Sequence, residues 1–314
     1  MELLSKELNK RFCKDYSIPI NLFEEPYFSD RLLLCDNMYD SINKYVRFIN
    51  TIKECIQINK DYFELYKTIK ERMMEDIKKS IGYNNFLNED MNKFKCQNKI
   101  INSELYNNNN VGQVFISIDM KMANFNALKQ YDDNIFYCSQ TWVDFVRIYT
   151  HDLYFANSKY IRQVTLGNCN PGRQQTYIAY LLDQVVSKLL LINTIKDNIL
   201  KVSSDEIILK DVSEEDLVLL KEIIKSFKFP LEITRFRLSK IIEGTEDNIL
   251  GYYKQNMDKQ VFWFKNKIKC VSDLYMPAVL RFINGESPQE NDLYFKYEHR
   301  LSKLIDPLKI RIIV

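Results

Sequence analysis

The chain has 314 residues, with 44 Lys+Arg against 42 Asp+Glu and a formal net charge of +2. A generally basic coat for nucleic acid is thereby excluded, and any such contact must be local. Hydrophobic residues at 46% and charged ones at 27% fit a globular protein of one large or two ordinary domains. Only seven glycines occur (82, 112, 167, 172, 244, 251 and 285), and their spacing spells no G-x-G-x-x-G fingerprint, so a Rossmann cofactor enzyme is excluded.

Residues 1–110 are predicted to be mostly helical. From Ile42 to Ile81 apolar residues recur at three- and four-residue steps (Tyr45, Phe48, Ile49, Ile52, Ile56, then Tyr62, Tyr66, Ile69, Met73, Ile77), the stripe of one or two amphipathic helices. Asn84 to Asn110 is polar and reads as a loop. Val111 to Met120 alternates as a strand, with Val114, Ile116 and Ile118 on one face. Helices are predicted over Met122–Tyr131, Thr141–Thr150, Ser158–Leu166 and Pro171–Ile195, the last with Pro171 in its first turn. Ile199 to Leu209 reads as two short strands meeting at Ser203-Ser204-Asp205. Ser213 is the predicted N-cap of a helix running to about Phe227. Phe229 to Ser239 alternates again, and the tail is expected to add a hairpin over Val261–Val271 and two short helices.

The seven scattered cysteines form no C-x-x-C, so neither a disulfide framework nor a zinc cage is expected; reduced, buried thiols of an intracellular protein are. Met-Glu-Leu-Leu-Ser-Lys has no signal-peptide pattern, and no apolar run approaches the ~18 residues of a membrane span. Gly167 to Gln174 narrowly misses G-x-x-x-x-G-K-[ST]: Gln174 offers no hydroxyl for magnesium and Pro171 removes a backbone N–H. His151 and His299 are the only histidines, and neither sits in a nucleophile motif.

The informative residues are acidic and sit at strand ends. Asp119 ends a strand and leads into a helix, while Asp205 and Glu206 lie at a hairpin tip. If both strands belong to one antiparallel sheet, the carboxylates can meet at its edge and hold hard divalent cations through oxygen. Two such ions ~3.5–4 Å apart serve in-line phosphoryl displacement. An isolated strand-end aspartate is more often a turn or cap residue.

Lys201 to Lys210, Val212, Glu214-Glu215-Asp216-Leu217 and the helix to Phe227 resemble the palm of family A DNA polymerases. There a His-Asp-Glu hairpin tip precedes an apolar strand, a "P-E-E-E-L" start and a charged helix. Phe229-Pro230-Leu231-Glu232-Ile233 is similar to the following "V-P-L-x-V-E" strand. Ser117-Ile118-Asp119-Met120-Lys121-Met122-Ala123-Asn124-Phe125 resembles "A-D-Y-S-Q-I-E-L", and Arg162-Gln163-Val164-Thr165-Leu166-Gly167 resembles the "K-x-x-N-F-G" of the fingers helix. The likeness covers about residues 111–240, in the family's order.

The resemblance implies an α+β fold: a helical, thumb-like region (1–110), an antiparallel palm with a short fingers insertion at about 132–195 (111–240), and a C-terminal hairpin and helices packed on the palm (241–314). It implies a compact DNA polymerase that adds dNTPs to a primer 3′-end on a DNA primer-template, without proofreading. Two Mg²⁺ ions, with Mn²⁺ as substitute, would be held by Asp119 and Asp205. Glu206 would stand beside the primer terminus. Arg162 and Lys159 would meet the triphosphate, with Arg173 and Gln174 as further candidates; Asn124 and Leu166 would border the nucleotide. Asn124 replaces a glutamate that rejects ribose, Leu166 an aromatic, Asn170 a tyrosine and Ser204 a histidine. These departures motivate an alternative, a catalytically inactive palm-derived nucleic-acid-binding or replication accessory protein. A helical interaction module without a nucleic-acid role is a third reading. Arg235, Arg237, Lys265 and Lys267, interleaved with aromatics, are candidate nucleic-acid contacts. Oligomeric state and the choice of DNA or RNA are not legible.

Overall fold

A computed structural model describes residues 4–99, 102–203, 205–257 and 267–314. In chain order its helices are α1 (Lys6–Tyr16), α2 (Tyr27–Leu34), α3 (Asp36–Tyr39), α4 (Ser41–Gln57), α5 (Tyr62–Lys79), α6 (Ile81–Asn88), α7 (Ala123–Tyr131), α8 (Trp142–Arg147), α9 (Leu153–Asn157), α10 (Lys159–Gly167), α11 (Pro171–Leu189), α12 (Asn193–Lys196), α13 (Glu214–Lys225) and α14 (Met276–Ile283). The strands are β1 (Val114–Met120), β2 (Ile199–Val202), β3 (Glu206–Lys210), β4 (Leu231–Glu243), β5 (Ile249–Asn256), β6 (Lys267–Lys269), β7 (Tyr294–Tyr297), β8 (Arg300–Lys303) and β9 (Ile310–Ile313). The fold is α+β, and its main sheet is antiparallel.

Alternation in the strands sets the layers. The sheet runs β2-β3-β1-β4-β5-β6, and β9 pairs with the far end of β4. Ile116, Ile118 and Met120 of β1, with Ile207 and Leu209 of β3, face the helical layer and join one large core. Leu217 and Leu220 of α13 pack into the same core, and Ser213 caps α13 by accepting the Asp216 amide at 3.1 Å. The opposite sheet face carries Phe115, Ser117 and Asp119 of β1 beside Phe236, Thr234 and Glu232 of β4. Segment 102–111 covers one end of that face: Leu105 packs with Phe115, Ile208, Phe236, Leu238 and Tyr252. Among the described residues, the other end, holding the carboxylates, borders a cleft.

The N-terminal helices do not form a separate core. Phe48 of α4 stacks on Tyr154 of α9 at 4.9 Å, and Tyr62 of α5 stacks on Phe155 at 5.5 Å. Fully buried Asp15 of α1 accepts hydrogen bonds from the Tyr62 (3.0 Å) and Tyr154 (2.8 Å) hydroxyls and pairs with Arg11 at 3.0 Å. The C-terminal segment returns to the N-terminus through Arg281 of α14, a buried guanidinium held by Asp292 (2.7 Å), Asp30 (3.0 Å) and Glu286 (2.7 Å).

Several expectations change. The Asn84–Asn110 segment is not one loop: α6 reaches Asn88, and a 3₁₀ turn follows at Met91–Phe94. Its asparagines are tied down, Asn98 to Asp183 and Asn102 to Val202, because polar side chains replace a ladder the backbone lacks. The predicted hairpin over Val261–Val271 is instead β6 pairing with β5, and residues 258–266 lie outside the described residues. One of the two tail helices is α14; the second is only a 3₁₀ turn at Glu290–Leu293, and β7, β8 and β9 were not foreseen. Cys13, Cys35, Cys55 and Cys169 are buried, whereas Cys96, Cys138 and Cys270 are exposed; all seven are free. No described helix is long and apolar enough to cross a membrane.

Candidate functional site

Strand register builds the site. Asp119, the sixth residue of β1, lies directly opposite Glu206 of β3 on one side and Glu232 of β4 on the other. Directly opposed residues of antiparallel strands present their side chains on one face, so three carboxylates form a row across three strands. Asp205 joins them from the hairpin tip, where its carbonyl accepts the Met120 amide at 2.9 Å.

The row opens into a cleft of about 460 Å³, lined on the sheet side by Asp119, Asp205 and Glu206. The facing wall is α10, whose Lys159, Arg162, Gln163 and Leu166 all line the cleft. Their spacing is i, i+3, i+4 and i+7, one face of a helix. Ser158 starts α10 by accepting the Ile161 amide at 3.2 Å. Asn124, at the start of α7 after β1, completes the rim. Lys254, Lys267 and Lys269, from β5 and β6, approach from the third side, and Tyr106 from segment 102–111.

Opposed charges shape the titration of this cleft. Burial raises the Asp119 carboxyl to about 6; Asp205, Glu206 and Glu232 add to the rise, and Lys267 opposes it. Burial also works against the Glu206 carboxylate, but Lys254 and the Ser117 hydroxyl outweigh it and hold Glu206 below its ordinary range. Ser117 Oγ donates to Glu206 Oε1 at 2.6 Å, and Lys254 Nζ lies 3.5 Å from the same oxygen. Burial lowers both Lys159 and Arg162; Lys159 is lowered further by Arg162, Lys267 and Lys269, so the cations of α10 and β6 repel one another across the cleft. Such an arrangement suits an anion bound between them.

The donor chemistry fits divalent cations of the magnesium type. These ions take one or two protein carboxylates and fill their remaining positions with water and substrate phosphate. Asp119 and Asp205 supply that number. Among the described residues no group of three or more His, Cys, Asp or Glu converges to hold an ion by protein ligands alone. The residues present therefore suit a cation that arrives with a phosphate-bearing ligand.

The sequence candidates divide. Asp119, Asp205, Glu206, Arg162, Lys159, Asn124, Leu166 and Lys267 come together in one cleft. Arg173 does not line it: its guanidinium donates to the Phe86 carbonyl at 2.9 Å and to the Glu89 carbonyl, fastening α11 to α6. Gln174 is buried and bonds the Leu166 carbonyl at 2.8 Å. Arg235 shares its alternation with Ile233 and so points to the helical layer, where it bonds Asp211 at 2.7 Å and Glu214 at 2.5 Å. Arg237 has the same parity, and neither arginine lines the cleft. Lys265, like Trp263 and Ser204, lies outside the described residues.

Reading the sequence missed Tyr106, Glu232 and Lys254; Lys269 closes the basic-aromatic stretch that it singled out. Glu232 had a visible signal, since it shares an alternating strand with the palm-like segment. Lys254 had none, because only strand register shows that its side chain shares a face with Glu206. No protein-family model, curated protein or solved structure matches this chain.

Proposed function

We propose that the cleft transfers nucleotides from triphosphates to the 3′-end of a primer on a template, and that the sheet, α10 and the N-terminal helices act as palm, fingers-like helix and support. The observation that carries this reading is that Asp119 and Asp205 face Lys159 and Arg162 across one cleft of about 460 Å³, a volume suited to a nucleotide.

Divalent cations on Asp119 and Asp205 would supply Lewis-acid activation of the attacking and leaving oxygens. The chain's own residues do the rest. Arg162, planar and always charged, offers paired donors to a phosphate, and Lys159 adds a point charge one turn earlier on the same helix. Their partial burial strengthens each contact relative to water. Asn124 and Leu166 border the space left for sugar and base. Glu206 is held by the Ser117 hydroxyl and by Lys254, which reaches it from β5. Lys267 and Lys269, both exposed, present positive charge where a strand's phosphates would run. The N-terminal helices share the core of α9 and α10 and so brace the cationic helix rather than swing freely.

The test is primer extension with Mg²⁺ by purified protein. Wild type is expected to extend a primer, and Asp119→Ala and Asp205→Ala to lose at least about 10³-fold in rate. Extension that survives both substitutions overturns the assignment. A second reading, binding without catalysis, is favoured by the departures from the family's pattern at Leu166, Asn170 and Ser204. It predicts primer-template binding with no incorporation under Mg²⁺ or Mn²⁺.

A further inference from the structure

Lys254 is the least expected charge in the molecule. It is 5% exposed on a central stretch of β5 and sits over the Phe236 ring at 4.6 Å and the Tyr106 ring at 5.7 Å. Directly across the ladder from it stands Lys267, another cation, with Lys269 two residues on. Like charges directly opposed on a strand pair are destabilising, and a buried ammonium is more so unless paired. Its partner is Glu206 Oε1 at 3.5 Å, the oxygen that also accepts from Ser117 at 2.6 Å. A cation and a hydroxyl thus converge on one carboxylate oxygen, immediately after Asp205 and opposite Asp119.

We infer that Lys254 is a positioning residue that, with Ser117, holds Glu206 out of the cation-binding set, leaving Asp119 and Asp205 as the carboxylates that take the metal. This inference rests on the nucleotidyl-transfer reading. Glu206 lines the same cleft as Asp119 and Asp205 and stands directly across the ladder from Asp119; released from Lys254 it could turn to them, and three carboxylates in place of two would bind divalent ions more tightly. They would also fill coordination positions that triphosphate and 3′-hydroxyl require. Lys254 therefore trades affinity for the metal against access for the substrate.

The experiment is a double-mutant cycle read by Mn²⁺ affinity in titration calorimetry, using full-length protein without nucleotide or DNA. Lys254→Met is expected to tighten Mn²⁺ binding about tenfold, because affinity rises with the number of charged ligands, and Lys254→Arg to keep wild-type affinity. Removing any nearby cation raises metal affinity somewhat, so the decisive arm is Lys254→Met in a Glu206→Gln background. There the effect should vanish, because the carboxylate that would join the metal is gone. An equal gain in both backgrounds shows simple charge removal and overturns the inference, as does no gain in either. Thermal denaturation of all five proteins confirms that each is folded; if Lys254→Met fails to fold, Ser117→Ala, which frees the same oxygen, replaces it with the same expectation. Absence of Mn²⁺ binding in every variant overturns the metal-dependent reading and this inference with it, whereas binding without Glu206 dependence overturns the inference alone.

Discussion

Replacing Asp119 by Asn should stabilise the metal-free protein. In the folded chain the Asp119 carboxyl is raised from an ordinary 3.8 to about 6 by burial and by Asp205, Glu206 and Glu232. A carboxyl raised on folding leaves stability intact below its unfolded value and loses it as pH climbs through the folded one. The cost builds between pH ~4 and ~6 and is complete above that. The gap corresponds to about 3 kcal/mol at most, and because Asp119 is only part-buried, screening leaves about 1–2 kcal/mol. Unfolding entropy of ~2 cal/mol/K per residue gives about 0.7 kcal/mol/K for a chain this long. Asp119→Asn should therefore raise Tm by about 2–3 °C at pH 7.5 in EDTA, and by clearly less at pH 5. Scanning calorimetry at both pH values, with and without Mg²⁺, reads this directly. Millimolar Mg²⁺ should stabilise wild type and leave Asp119→Asn nearly unchanged. A variant less stable than wild type in EDTA at pH 7.5, or a difference independent of pH, would refute the reasoning.

Four further outcomes follow from the geometry. Arg162→Ala should raise the nucleotide KM at least about tenfold in steady-state extension, through loss of a charge-assisted phosphate contact. Arg173→Ala should leave that KM within about twofold and lower Tm instead, since its guanidinium serves the Phe86 and Glu89 carbonyls. Arg281→Met strands Asp30 and Asp292 without their counter-ion and should cost about 3–5 kcal/mol, read as a Tm fall of about 4–7 °C. Lys267→Ala and Lys269→Ala should each flatten the salt dependence of primer-template binding by about 0.9 in slope, measured by fluorescence anisotropy.

The sequence was legible where a local rule settles placement. Alternation over 114–120 followed by a helical period put Asp119 at a strand end, and the spacing 159, 162, 166 put the cations of α10 on one face. Ser213 and Pro171 marked helix starts for the same local reason, a capping hydroxyl and a residue without an N–H. What needed the third dimension was lost. Arg173 was read as a free charge because nothing near it in sequence announces the Phe86 carbonyl, 87 positions away. Arg235 was misplaced although parity was available: it alternates with Ile233, toward the helices. Lys254 and Tyr106 reach the cleft only through pairing of β4 with β5 and the path of segment 102–111. β9 has four residues and becomes a strand only because β4 offers an edge beyond the end of β1. The palm-like segments were read from motifs, and the rest of the site had to come from register.

The most direct measurement of the central claim is anomalous diffraction from crystals soaked with Mn²⁺ and a non-hydrolysable nucleoside triphosphate. The account predicts Mn²⁺ peaks touching the carboxylates of both Asp119 and Asp205, with the triphosphate against Lys159 and Arg162 of α10. Manganese bound elsewhere, or a nucleotide that bypasses α10 while these residues stay bare, would contradict it.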